Sequence, residues 1–178
     1  MRVYGLLVMC VSLLWIVPEE APPPQPIQRG FRGIQLGEAV EVVKEKLKRD
    51  TFFFYREELD VSFSPGRDDI IIQTRAWKYI TNAQFQFYNE RLSLIVLQLD
   101  TTQLDYFGMY RKFVEKYGDP EEFSPSLARW SDEKTILILE RPLTVKYLDR
   151  ASHEELTQGK AVLQSTEDMA REAFMDLF

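Results

Sequence analysis

The chain is poor in the residues from which small enzyme sites are usually built. It has one cysteine, Cys10, and one histidine, His153, among 178 residues. With Cys10 near the amino terminus, the remainder has no thiol chemistry and no disulfide framework. A single imidazole excludes a His-rich metal site. A Ser-His-Asp arrangement would have to use the neighbouring Ser152, yet adjacent side chains rarely meet productively, and Ser152 reads as a helix cap with Glu155 completing the S-x-x-E pattern. Glycine is also sparse, with eight residues scattered singly. Gly33, Gly37, Gly66 and Gly118 each have a local backbone reason, so no phosphate-cradling loop is present. The acidic residues Asp119, Glu121 and Glu122 lack the Asp-x-Asp-x-Asp-Gly spacing of a calcium loop and read as a solvated surface, and Asp68-Asp69 reads as turn chemistry. No cofactor or metal is expected. A basic surplus is missing too: the formal net charge is −6. That argues against nucleic acid and acidic membrane surfaces as partners.

What the first residues do contain is an apolar run. Val3 to Val17 carries no charge, follows Met1-Arg2, and runs into a Pro-rich spacer that begins at Pro18. A positive start followed by an uncharged apolar stretch is what the secretory machinery accepts, so the protein is expected to be exported, periplasmic or secreted, or to stay tethered to the membrane. Three outcomes fit the segment 1–17. Cleavage after Ala21 is opposed by Glu19 and Pro22, where small residues are preferred. Lipidation at Cys10 is suggested by Leu7-Val8-Met9-Cys10, although Met9 stands where a small residue is expected. Retention as an anchor asks fifteen residues, roughly 22 Å of helix, to meet a hydrocarbon layer of about 30 Å. The spacer, residues 18–30, would then hold the following domain some distance from the bilayer as extended polyproline-like chain.

Beyond the spacer, residues 31–158 predict one α+β domain of helices packed on an antiparallel sheet. Leu36, Val40, Val43 and Leu47 recur at helical spacing, with acidic residues early and lysines late. Ser64-Pro65-Gly66-Arg67-Asp68 is a turn between two short strands. Ala83 to Tyr88 alternates cleanly, Asn89-Glu90 turns the chain, and Arg91 to Leu99 is apolar on both faces near its end, as a central strand would be. Leu104, Phe107, Tyr110, Phe113, Val114 and Tyr117 then mark a second amphipathic helix, ended by Gly118-Asp119-Pro120. Strands follow at 128–131, 135–140 and 143–148, then a short helix from Ser152. Residues 159–178 form a tail whose Ala170, Ala173, Phe174, Leu177 and Phe178 line one side of a terminal amphipathic helix. The halves 34–99 and 102–150 share one order, a helix and then a β-meander, which suggests two tandem units.

Phe31-Arg32-Gly33-Ile34-Gln35-Leu36-Gly37 ahead of a helix, Lys116-Tyr117-Gly118-Asp119-Pro120 at the end of the next, and Trp130 before two alternating strands resemble small exported modules in which a helix packs on an antiparallel sheet. Such modules occur in outer-membrane assembly lipoproteins of the SmpA/OmlA type and in β-lactamase-inhibitor-like proteins. The resemblance covers Ile34 to Asp149 and implies protein binding without catalysis.

Aromatic content supplies the candidate surface. In an extended segment alternate side chains point to opposite faces, so Phe52, Phe53, Phe54 and Tyr55 cannot all enter one core. Together with Trp77 and Tyr79 they are candidates for an interaction surface, as are Phe174, Leu177 and Phe178 in the tail. The first functional expectation is a non-enzymatic module that binds another envelope protein or self-associates. The alternative is a small-ligand binder or hydrolase with a carboxylate-lined cleft between the halves.

Overall fold

The computed structural model describes residues 25–57, 60–63, 70–158 and 175. The apolar run 3–17, Cys10, most of the spacer, the turn at 64–68, and Phe174, Leu177 and Phe178 lie outside the described residues.

The α+β fold expected from the pattern is the fold adopted. A two-stranded ribbon, β1 (Gly30–Phe31) and β2 (Ile34–Gln35), leads into helix α1 (Val40–Arg49). Strands β3 (Val61–Phe63), β4 (Ile70–Thr74), β5 (Ile80–Tyr88) and β6 (Arg91–Leu99) follow as a meander. Helix α2 (Tyr106–Tyr117) opens the second half, which continues through β7 (Glu122–Phe123), β8 (Leu127–Ser131), β9 (Thr135–Glu140) and β10 (Thr144–Asp149). A third helix, α3, covers 150–158.

The eight longer-range strands make one antiparallel sheet in the order β3-β4-β5-β6-β10-β9-β8-β7. Each half therefore contributes four adjacent strands, and the last strand of each meets the other at the centre. The register makes the relation explicit. One row of paired residues runs Val61, Ile72, Phe85, Ile95, Tyr147, Leu137, Trp130, and a second runs Phe123, Ala128, Leu139, Val145, Leu97, Ala83, Thr74. A half-turn about the central Val96–Lys146 pair exchanges these rows.

Both rows face one side of the sheet, where α1 contributes Val40, Val43 and Leu47 and α2 contributes Tyr106, Phe113 and Tyr117 to a single core. Phe85, Ile95, Leu137 and Leu139 are fully buried there. Alternate residues, such as Gln84, Gln86, Leu94, Val96 and Lys146, are half-buried on the opposite face. The polar–apolar alternation of β5 is thus the direct cause of a sheet with one core face.

Several boundaries differ from the sequence pattern for clear reasons. Helix α1 starts at Val40 and not at Leu36, because Gly37 has φ +88°, outside helical backbone. Helix α2 starts at Tyr106, with the Asp105 carboxylate accepting from the Gly108 N–H at 2.8 Å; Phe107 consequently points outward, 63% exposed. Ser152 does not cap α3. Asp149 does, accepting from the Ser152 N–H at 3.1 Å and its hydroxyl at 3.0 Å. Ile27, which composition assigns to the spacer, is buried, and its N–H donates to Asp132 at 2.9 Å.

Candidate functional site

The Phe52–Tyr55 segment is placed by the end of α1. Asp50 closes the helix and accepts from the Phe52 N–H at 3.0 Å, while Arg32 binds both carboxylate oxygens at 2.8 and 2.9 Å. The chain then runs alongside the loop joining β4 to β5. The Trp77 N–H donates to the Phe52 carbonyl at 2.9 Å and the Phe54 N–H to the Arg75 carbonyl at 2.9 Å, with Phe53 bridged to Ala76. This two-sided pairing sorts the aromatics by parity. Phe53 is buried against Phe85, with ring centroids 5.8 Å apart. Phe52 is half-buried and packs edge-on against Phe31. Phe54 points the other way, 47% exposed, with its ring centroid 6.2 Å from that of Trp77, itself 59% exposed.

The loop carrying Trp77 is held in an unusual shape. Lys78 has φ +51°, and the Tyr79 N–H reaches back to the Trp77 carbonyl at 2.7 Å, closing a γ-turn. A bulky residue at positive φ in such a turn is strained, and strain of this kind persists where surrounding structure enforces it. Here the enforcement is visible: the Trp77 N–H is tied to Phe52 on one side, and the Asp100 N–H donates to the Tyr79 carbonyl at 2.9 Å on the other. Tyr79 is exposed, with the Lys78 ammonium 4.9 Å from its ring centroid.

Basic groups surround the pair. Arg75 is exposed, and among the described residues its guanidinium has no hydrogen-bond or ion-pair partner. Arg56 donates through its N–H and its guanidinium to Asp60 at 2.9 and 3.0 Å, which satisfies a carboxylate that is otherwise buried. Phe54, Arg75, Trp77 and Lys78 line a hollow of about 490 Å³. Arg75 is shared with a polar hollow of about 280 Å³ that Arg56, Asp60 and Asn82 also line. The result is a groove with an aromatic end and a cationic middle.

Of the residues singled out by sequence, Phe54 and Trp77 are brought together on this surface and Tyr79 sits on the same turn. Phe53 is a core residue. Tyr55 is half-buried; its hydroxyl is sealed and unpartnered, and burial pushes it above the usual phenol range. Arg56, Asp60 and Arg75 were not anticipated, although Arg75-Ala76-Trp77-Lys78-Tyr79 alternates cationic or aromatic residues closely enough to have drawn attention.

The other candidates are dispersed. Glu121 accepts from the Ser131 hydroxyl at 2.6 Å, Glu122 pairs with Arg129 at 3.2 Å, and Asp119 and His153 are exposed. Among the described residues, no three His, Cys, Asp or Glu side chains gather as metal ligands would, and no helix is long and apolar enough to cross a membrane.

A second concavity lies on the helix side of the sheet, between α2 and residues 25–32, with a volume of about 690 Å³. Phe31, Phe113, Tyr117 and Tyr147 line it, and Arg32, Lys112 and Lys116 outnumber the one carboxylate there, Glu115.

No curated protein and no solved structure matches the chain. Residues 29–159, which include every helix and strand of the sheet described above, match the TP0088 domain, and the chain therefore belongs to the TP0088 domain family.

Proposed function

We propose that this protein is an exported, non-enzymatic binding module that docks a protein partner through the Phe54–Trp77 surface. The observation that carries the reading is the exposed Phe54–Trp77 pair, with Trp77 entering a strained turn, beside the Arg75 guanidinium, which has no ion-pair partner among the described residues. Two large rings kept in water at a fixed spacing cost hydration free energy, which a partner's apolar side chain recovers on docking. Arg75 and Lys78 add positive potential in a chain of net charge −6, so the matching partner presents an apolar anchor flanked by acidic residues. A catalytic reading needs at least two titratable groups in mutual reach inside a concavity. The dispersal of Asp119, Glu121, Glu122 and His153 favours binding over hydrolysis.

The test is site-specific photocrosslinking in the native envelope. A photoreactive residue at Trp77 should capture a reproducible protein partner, while the same residue at exposed Arg111 on α2, on the helix side of the sheet, should not. Replacing Arg75 with Glu should abolish the Trp77 product. Equal labelling from both positions, or labelling indifferent to Arg75→Glu, would overturn the proposal. If the captured protein is a second copy of this chain, light scattering of wild type against Trp77→Ser identifies the surface as a self-association site.

A further inference from the structure

Tyr117 and Tyr147 are 8% and 6% exposed, both line the cleft beside α2, and among the described residues neither hydroxyl has a hydrogen-bond partner. The rings are buried, but neither hydroxyl is among the sealed, unpartnered polar atoms of the described residues, so both open to the cleft as donors. Tyr106, by contrast, uses its hydroxyl inside the protein, donating to the Leu139 carbonyl at 3.3 Å. Tyr117 and Tyr147 sit instead on different elements, the last turn of α2 and the central strand β10, and meet at one wall of one concavity. Burial, with the neighbouring Tyr117 hydroxyl, pushes the Tyr147 phenol well above its usual range, so Tyr147 remains a protonated donor at neutral pH.

The surroundings set the sign of what those donors receive. Lys116 has no carboxylate partner among the described residues; its ammonium lies 5.0 Å from the Tyr117 ring centroid and only 3.4 Å from the Gln28 side-chain oxygen. Glu115, the cleft's one carboxylate, is already engaged by Lys112 at 2.8 Å. Phe31 and Phe113 supply apolar wall. Two phenol donors lining one cleft, an ammonium without a carboxylate partner among the described residues and an aromatic wall, in a concavity of about 690 Å³, have the composition of a small-molecule site.

We propose that this cleft binds a small organic anion, whose carboxylate or phosphate accepts hydrogen bonds from Tyr117 and Tyr147 while its apolar body lies against Phe31 and Phe113. The site is separate from the Phe54–Trp77 surface and stands independently of the function proposed there.

The experiment uses the full chain in zwitterionic nanodiscs and ligand-observed NMR with four probes: 4-phenylbutyrate, phenyl phosphate, the neutral 4-phenylbutanamide and the cationic 4-phenylbutylamine. The two anions should bind about tenfold or more tightly than the amide, and the amine should bind weakest. Whichever anion binds better identifies the head group. The double variant Tyr117→Phe/Tyr147→Phe keeps both rings and should weaken anion binding by about tenfold or more while leaving amide binding and thermal stability unchanged. Lys116→Gln should reduce the preference for anion over amine. The proposal fails if amine or amide binds as tightly as the anions, if the double phenylalanine variant keeps wild-type affinity, or if no probe binds at millimolar concentration.

Discussion

The Arg29 guanidinium lies 2.6 Å from the Asp149 carboxylate, joining the residue that leads into β1 to the last residue of β10. Arg29 also donates to the Lys134 carbonyl, and Asp149 also caps α3 through Ser152. One carboxylate therefore fastens the approach to the domain, the central strand and the helix that leaves it. Replacing Asp149 with Ala should cost about 2–3 kcal/mol in urea unfolding, because an ion pair and a cap are lost together. Asp149→Asn, which can still cap, should cost less.

The same residue gives the acid limb of the stability curve a cause. Burial pushes the Asp149 carboxyl up, but the hydrogen bonds from Arg29 and Ser152 outweigh it and hold the group below its ordinary range. Asp50 is likewise held low, chiefly by its hydrogen bond from Arg32. A folded pKa below the unfolded value means that the unfolded state binds protons first as pH falls. The stabilisation is thus complete above the ordinary aspartate pKa of about 3.9 and is lost as pH drops through the folded-state values. Urea midpoints measured between neutral pH and pH 2 should fall on the acid side, and Asp149→Asn should flatten that fall.

Tyr55 offers an opposite test. Its hydroxyl is buried without a partner, so Tyr55→Phe removes a desolvated group and loses no hydrogen bond. The thermal midpoint should rise, by an amount corresponding to about 1 kcal/mol. Tyr106→Phe, which gives up the bond to Leu139, should leave it unchanged or lower it.

Backbone geometry makes two further positions informative. A Cβ on Gly30 would stand 2.0 Å from the Ile34 carbonyl oxygen, so Gly30→Ala has to open the β1–β2 ribbon and should cost roughly 2 kcal/mol or more. Glu90 has φ +61° beside Asn89 at φ +48°, the pattern of a type I′ hairpin. Glu90→Gly should therefore stabilise by about 0.5–1 kcal/mol, measured by chemical denaturation.

Core and surface aromatics should separate cleanly. Phe53→Ala removes a buried ring and should cost about 3–5 kcal/mol. Trp77→Ala should change stability by no more than about 0.5 kcal/mol while abolishing partner binding. A binding defect in a Phe53 variant would report unfolding, so Trp77 is the residue on which to test docking.

Much of the architecture was legible because its signals are local. The alternation from Ala83 to Phe87, the Asn89-Glu90 turn and the helical spacing of Val40, Val43 and Leu47 each follow from side-chain direction within one element. Leu36 carries the same apolar spacing, but Gly37 overrides it with a left-handed backbone. Strand β7 is two residues long and exists only because Glu122 and Phe123 lie beside Arg129 and Ala128. Of the site, the aromatic residues were visible and their sorting was not: parity decides that Phe53 and Phe54 diverge, but only the pairing with residues 75–77 decides which one enters the core. Tyr117 and Tyr147 were unreadable as a pair, since each fits its own element's apolar face and only the tertiary fold brings both to one cleft.

The antiparallel seam between β6 and β10 has a consequence for how such a chain is held together. Cut at the connection 100–105, each half would expose as a raw edge a strand that is now central, β6 or β10, and such an edge seeks another strand. Self-pairing of one such half about Val96 or Lys146 would rebuild the same eight-stranded layer from two identical chains. In the intact chain the short connection 100–105 keeps the two edges together, so the central strand of each half is always covered by that of the other.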